Sequence, residues 1–411
     1  MAVTDEHIRA RGTVGEVFSA FLRLGLTSFG GPVAHLGYFR DEFVTRRRWM
    51  GEKEYADLVA LCQFLPGPAS SQVGMAVGLQ RAGFMGLVAA WVAFTAPSAL
   101  ALVAFALGVA TLGDVSGAGW LISLKAAAVA VVAHAVLGMA TKLVTDKWRA
   151  LIAAAAAGLV LLVPHPAVQV GAIAFGALGG MALLRSREAG RDTARETAAP
   201  EDSAHSSRPT SKAVALASLV LFAVLLVALP VLSSATGSTA AHLFDSFFRA
   251  GALVFGGGHV VLPLLEQATV PAGIVDHSTF LAGYGAAQAV PGPLFTFASF
   301  LGASAQGTSW WWGALVATVA IFLPAALLVV GVMPFWDSLR RHLFAAAVLA
   351  GANAAVVGIL GAALYTPVFT AGITGPATMA LSIVAFTALQ AWRLPAWAVV
   401  IGAALIGFVF L

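Results

Sequence analysis

The sequence predicts an all-α polytopic membrane protein, built as an inverted-topology internal repeat with interrupted, re-entrant helices. Three observations carry this. Apolar residues make up 59% of the chain and charged residues only 10%, against about 25% in soluble domains. The apolar residues fall in long runs, and a membrane helix needs about 20 in succession. The third observation is that the two halves of the chain resemble each other at a nearly constant spacing.

Phe21-Leu-Arg-Leu-Gly25 with Phe29-Gly-Gly31 returns as Phe247-Phe-Arg-Ala-Gly251 with Phe255-Gly-Gly257, 226 residues later. Gln63-Phe-Leu-Pro-Gly-Pro68 returns as Gln288-Ala-Val-Pro-Gly-Pro293 after 225, Pro97 as Pro324 after 227, and Lys125-Ala-Ala as Asn353-Ala-Ala after 228. A drift of one residue per segment fits small loop insertions. The order never changes, so the chain reads as an internal duplication, a common build of secondary transporters.

Taken in order, residues 1–184 form an N-terminal repeat, 185–213 a linker, 214–242 an unmatched helix and 243–411 a C-terminal repeat. The first 13 residues carry Asp5, Glu6, Arg9 and Arg11 and no apolar core, so no cleavable secretory signal is expected there. Segments 14–36 and 55–79, and their partners 243–265 and 280–306, are interrupted at mid-length by Phe29-Gly-Gly-Pro32, Pro66-Gly-Pro68 and their copies. Proline removes a backbone donor and glycine lowers helix propensity. Such a break is tolerated at membrane depth only where it faces protein or a wet cavity. Plain spans are expected near 82–112, 119–141, 150–163 and 167–184, and near 310–333, 343–364, 367–388 and 395–411. The stretch from Arg185 to Lys212 holds 11 charges among Ala, Ser, Thr and Pro, a composition that predicts a disordered cytoplasmic linker.

Lysine and arginine test the topology, because short cytoplasmic loops hold an excess of them. If the interrupted segments enter and return to one face, the loop 40–53 with Arg40, Arg46, Arg47, Arg48 and Lys53 lies inside, as do Arg81, Lys142, Lys147 and Arg149. The unmatched helix near 214–232 then starts the second half from the opposite face. Glu266, Asp276 and His277 fall outside, and Arg340, Arg341 and Arg393 inside. Trp310-Trp311-Trp312 suits a membrane interface.

The segments FLRLGLTSFGGPVAHLGYFRDEFV (21–44), QFLPGP (63–68), FGGGHVVLPLLE (255–266) and QAVPGP (288–293) resemble the chromate ion transporter family in its long, two-repeat form. The resemblance covers roughly residues 15–184 and 243–411. It implies a multi-pass pump of the bacterial cytoplasmic (inner) membrane that exports chromate, driven by the membrane potential or the proton gradient, and confers chromate resistance. Consistently, no GxxxxGK[ST] nucleotide loop occurs. No enzyme activity and no cofactor are expected. The single cysteine, Cys62, excludes an intramolecular disulfide or a cysteine metal cluster. The expected partners are chromate, with sulfate as the alternative anion, and the lipid bilayer; a homodimer is left open. Nucleic acid is excluded for want of a basic face. A channel or scramblase could use the same broken helices.

A tetrahedral dianion must exchange its hydration shell for other donors, and helix N-termini supply them. The expected binding residues are therefore Gly30, Gly31, Gly67 and Ser70 in the first half, and Gly256, Gly257 and Gly292 in the second. Gln63 and Gln288 precede the Pro-Gly-Pro breaks, and Ser71 and Thr296 are neighbouring hydroxyls. Arg23 and Arg249 occupy equivalent places in apolar segments, where an arginine costs about 2.5–3.5 kcal/mol at the bilayer centre; each either grips the anion or snorkels to the interface. Lys125 is a cavity charge or an interfacial lysine. If protons are coupled, Glu42, His35, Glu266 and His259 are the candidate carriers, with His134 a more distant one.

Overall fold

The computed structural model describes residues 12–29, 31–111, 117–163, 166–184, 210–254, 261–336 and 343–410. Residues 185–209 of the linker, Gly30 and the segment 255–260 lie outside these, and the helix after the linker starts at Lys212 rather than at 214. The described residues contain helices and no strand. Among the described residues five helices are long and apolar enough to cross a membrane: Ala69–Thr111, Gly119–Leu143, Lys212–Thr236, Trp310–Phe335 and Ala347–Gly372. Their outer faces are apolar, with Leu100 70% and Val227 71% exposed. Such side chains belong in hydrocarbon.

The first half opens with α1 (Val14–Thr27), capped by the Thr13 hydroxyl, and α2 (Gly31–Arg40), which runs into a π-helical turn at Asp41–Arg46. The chain doubles back between them. The rings of Phe21 and Phe43 are 4.9 Å apart, whereas an unbroken helix would separate them by about 33 Å. Next come α3 (Glu52–Phe64) and α4 (Ala69–Thr111). The latter is two antiparallel arms, because Ala82 and Gly83 leave helical geometry, Gly83 at φ +67°. The arms press Gly78 against Gly86 so closely that neither could carry a Cβ. Helices α5 (Gly119–Leu143), α6 (Lys147–Leu162) and α7 (Pro166–Leu183) complete the half.

After α8 (Lys212–Thr236) the pattern repeats: α9 (Thr239–Ala252), α10 (Val261–Thr269), α11 (His277–Ala289), a 3-10 turn at Leu294–Thr296, α12 (Phe297–Ala303) and α13 (Trp310–Val332). Gly302 and Gly313 repeat the close contact of Gly78 and Gly86. Gly25 lies against the carbonyls of Ala93 and Phe94, and Gly251 against that of Ile321. Pro97 accounts for the first contact, since a proline frees the carbonyl four residues earlier, here that of Ala93; Ile321 lies three residues before Pro324.

Helix α14 (Leu343–Ala363) continues through a π-helical stretch, Leu364–Phe369, and the turn Thr370–Gly372. This corrects the expected span 367–388. The next helix, α15 (Pro376–Gln390), begins only after Thr374 and Gly375, whose backbone N–H groups donate to the Thr378 hydroxyl. Apolarity alone could not reveal that turn. Helix α16 (Ala396–Phe410) ends the chain. Glycine seams hold the outer helices together, as in membrane bundles generally: Gly176 and Gly180 of α7 meet Gly351 of α14, and Gly358 meets Ala153 of α6.

Which loops share an end of the molecule follows from their contacts. Glu16 accepts from Trp49 Nε1 at 3.1 Å and from Arg81 at 3.3 Å, joining the start of α1, the loop before α3 and the α4 turn. Likewise Gln306 N donates to the Ile274 carbonyl at 3.2 Å, joining the corresponding loops of the second half. Helix α13 starts beside Gln306, and its last turns, Leu328 to Val332, pack in one cluster with Val17, Phe43 and Trp49.

Candidate functional site

The two Pro-Gly-Pro breaks cross between halves. Gly67 N–H donates to the Val254 carbonyl at 2.7 Å, and Gly292 N–H donates to the Ser28 carbonyl at 2.9 Å. Each Pro-Gly-Pro break is thus bonded to the end of the other half's first helix. Gly67 has φ +120° and Gly292 φ +95°, where a Cβ is strained, so glycine is required at both. The flanking prolines have no donor to offer, which leaves this N–H as the one bond the break can give across the interface.

The surroundings of the two crossings differ. In the first half His35 is fully buried, with Nδ1 3.3 Å from Ser70 Oγ and Nε2 3.2 Å from the Ser28 carbonyl. Gln72 Nε2 donates back to the Pro66 carbonyl at 2.8 Å. Four buried polar atoms nearby have no partner: Ser28 Oγ, Ser71 Oγ, Thr95 Oγ1 and Gln72 Oε1. Each such orphan costs about 1–3 kcal/mol. In the second half, Phe295, Thr296 and Phe297 stand where Ser70, Ser71 and Gln72 stand in the first. The Thr296 hydroxyl is spent on the Pro293 carbonyl at 2.7 Å. Polarity therefore concentrates on one side of a symmetric backbone. Three hydroxyls and the first N–H groups of α4 can present donors to an anion, and each hydroxyl can turn to suit it.

Of the residues expected from sequence, Gly31 opens α2 at φ +77°, and Gly67, Ser70, Gly292 and His35 lie at the crossings. Gln288 lies near the second break with its amide nitrogen buried and unpartnered. Gly30, Gly256, Gly257 and His259 fall outside the described residues. Others are not brought to the crossing. Arg23 is exposed on α1 with no ion pair among the described residues, and Gln63 is exposed on α3. Arg249 is ion-paired to Asp245 one turn earlier, Nη2 to Oδ2 at 2.7 Å.

Glu42 is held by Arg47 at 2.7 Å and Arg46 at 3.0 Å beside the basic loop. Burial alone would raise its carboxyl, but the two arginines outweigh burial and hold it below the usual range, which suits a structural anchor better than a proton carrier. Glu266 Oε1 is 3.5 Å from His277 Nδ1, and half-buried Lys125 lies within electrostatic reach of Asp276 and His277. His134 is in α5 with Nδ1 buried and unpartnered. Sequence reasoning missed Ser28, Thr95 and Ser98. The signal for the last two was present as Thr95-Ala-Pro97-Ser98, a polar island within an apolar span.

The family described as "Chromate transporter" matches residues 15–181 and 241–408, two stretches that begin 226 residues apart. The "Chromate transport protein" of Pseudomonas aeruginosa is 30% identical over 370 residues, 87% of this chain and 82% of its own length. The "Chromate transport protein" of Cupriavidus metallidurans is 26% identical over 414 residues, 99% of this chain and 96% of its own. A "Probable chromate transport protein" of Synechococcus elongatus is 26% identical over 379 residues, covering 87% and 85%. No solved structure matches. Matched twice along one chain, once for each pair of helix breaks, this polytopic membrane protein belongs to the chromate transporter family.

Proposed function

We propose that the protein is a secondary transporter that exports chromate across the bacterial cytoplasmic membrane, driven by the membrane potential with or without a proton gradient, and that it thereby confers chromate resistance. The observation that carries this is the crossing of the interrupted helices, with the hydroxyls of Ser28, Ser71 and Thr95 buried and unpartnered beside it. A tetrahedral oxyanion has acceptors to match those hydroxyls, and the N-terminal end of α4 adds its partial positive charge. Such a ligand offsets the cost of the orphan donors.

The two halves are read as inserted in opposite senses. Supporting this, α13 begins among the outer loops of the second half and ends among the residues that surround Trp49 in the first. The basic loops 40–53 and Arg81 then lie inside and Asp276 outside. Single-cysteine labelling on a Cys62→Ser background tests the topology; periplasmic access to the 40–53 loop would overturn it.

Direction follows from charge. A dianion leaving a negative-inside cell releases about 4.6 kcal/mol per 100 mV, enough for a gradient of roughly three decades. In everted vesicles the protein should accumulate chromate under an imposed potential alone, and collapse of the potential should abolish accumulation. Sulfate accumulation in place of chromate would reassign the substrate, and uptake into intact cells at normal potential would reverse the direction.

A further inference from the structure

A cavity of about 610 Å³ opens between α8, α9 and the loops at residues 272–274 and 306, apart from the helix crossing. Ser233, Thr239, His242, Asp245, Arg249 and Gln306 give it a polar lining. Asp245 is 2% exposed, yet only one of its oxygens is bonded: Oδ2 accepts from Arg249, while Oδ1 is buried without a partner. Arg249 is 44% exposed. Its guanidinium carries five N–H donors, so a single bond to Asp245 leaves most of the fork free to face the cavity. One turn before Asp245, His242 Nδ1 lies 3.3 Å from Ser233 Oγ.

The first half shows what this register needs structurally. Arg23 is the counterpart of Arg249, and Ser19 that of Asp245. The equivalent helix therefore forms with no carboxylate there, and the buried aspartate is an addition confined to the second half.

We infer that the floor of this cavity is a proton-linked oxyanion site, in which ionised Asp245 occupies Arg249 as a stand-in anion and protonated Asp245 yields it to a tetrahedral dianion. The proton goes to the unpartnered Oδ1, the arginine keeps its charge, and the anion replaces the lost carboxylate charge on the fork. This inference deepens the oxyanion-transport reading and rests on it. Few other charges face Asp245. Its own helix brings His242 and Arg249, α8 brings Ser233 and Ser234, and α13 and the 270–274 loop bring no titratable side chain. Helix α10 brings Glu266, which is turned to His277.

The test is sulfate binding, measured by calorimetry on the full-length protein in maltoside micelles between pH 5.5 and 8. Sulfate stays a dianion across this range, and the detergent carries no phosphate headgroup to compete. One proton taken up per anion makes wild-type affinity about tenfold tighter for each pH unit of fall above the titration of Asp245, levelling to an acid limit below it. Asp245→Asn should bind at the acid limit of the wild type at every pH, and Asp245→Ser, which copies the first-half register, should do the same. Arg249→Gln should lose tenfold or more at acid pH along with the pH slope. A wild-type slope in both Asp245 variants, or unchanged binding in Arg249→Gln, overturns the site. Chromate accumulation in everted vesicles is scored separately: vesicles that fail to move chromate refute the transport reading, whereas vesicles that move it while Asp245→Asn keeps the wild-type slope refute this site alone.

Discussion

Replacing Gly292 by alanine strikes the crossing at its tighter side. An alanine at φ +95° costs about 1–2 kcal/mol in backbone strain. Its Cβ would also stand 2.8 Å from Ser98 Oγ, a distance that forces one group to move, and overpacking of that kind costs about 1–3 kcal/mol. The movement endangers the bond from Gly292 N–H to the Ser28 carbonyl, worth about 1 kcal/mol. The expected loss is about 3–6 kcal/mol. At the equivalent Gly67 the strain is similar, but the new Cβ would meet Ala325 at an ordinary 3.4 Å and only the flexible Gln72 amide at 3.0 Å. Gly67→Ala should therefore lose about 1–2 kcal/mol less than Gly292→Ala. Most of the difference resides in one hydroxyl, the remaining close contact being the Phe94 carbonyl at 3.3 Å, so Ser98→Ala should erase most of it. That substitution alone gives up the bond from Ser98 Oγ to the Thr95 carbonyl at 3.1 Å, worth no more than about 1 kcal/mol. The assay is the unfolding temperature of the detergent-purified protein for the four members of the Gly292/Ser98 cycle and for Gly67→Ala, and a coupling of about 1–2 kcal/mol is the expected result. If Gly292→Ala costs as much with alanine at 98 as with serine, or if Gly67→Ala is the more damaging change, the steric account of the crossing is wrong.

Other outcomes follow from the same geometry. Glu42→Gln should cost about 2 kcal/mol at neutral pH, a figure reduced because Arg46 is more than half exposed. Because Glu42 titrates lower folded than unfolded, its stabilisation is complete above the ordinary carboxylate value near 4.3. It is lost as pH falls through the depressed folded value. Melting curves between pH 6 and 3 should show a fall in the wild type that the glutamine variant lacks; identical profiles would remove Glu42 as an anchor. Asp276 caps α11 by accepting from the Thr279 N–H at 2.9 Å, so Asp276→Ala should cost about 1 kcal/mol in thermal stability, and no change would deny the cap. Arg23→Gln should leave chromate flux within about twofold, as an exposed substitution does, while Arg249→Gln should reduce it further; equal losses in vesicle assays would contradict the different environments of the two arginines.

The sequence by itself determined that the chain is helical and crosses a membrane, where its helices break, and that the breaks recur some 226 residues apart. These are local properties. A proline withdraws its own donor, a glycine weakens its own turn, and an apolar run needs hydrocarbon whatever surrounds it. Tertiary structure alone decided which broken end meets which. Nothing near Gly67 in the chain names Val254 as its acceptor, because that bond spans nearly two hundred residues. Packing likewise separated residues that the repeat makes equivalent. Arg23 and Arg249 sit in matching motifs and both reach the surface, yet only Arg249 is held by an aspartate, whose counterpart is Ser19. It also gathered Ser28, Ser71, Gln72 and Thr95 into one polar patch on the first-half side. Each looked like an ordinary small polar residue in its own segment, and only the loss of water and of every neighbouring partner on folding makes a hydroxyl into an unmet donor.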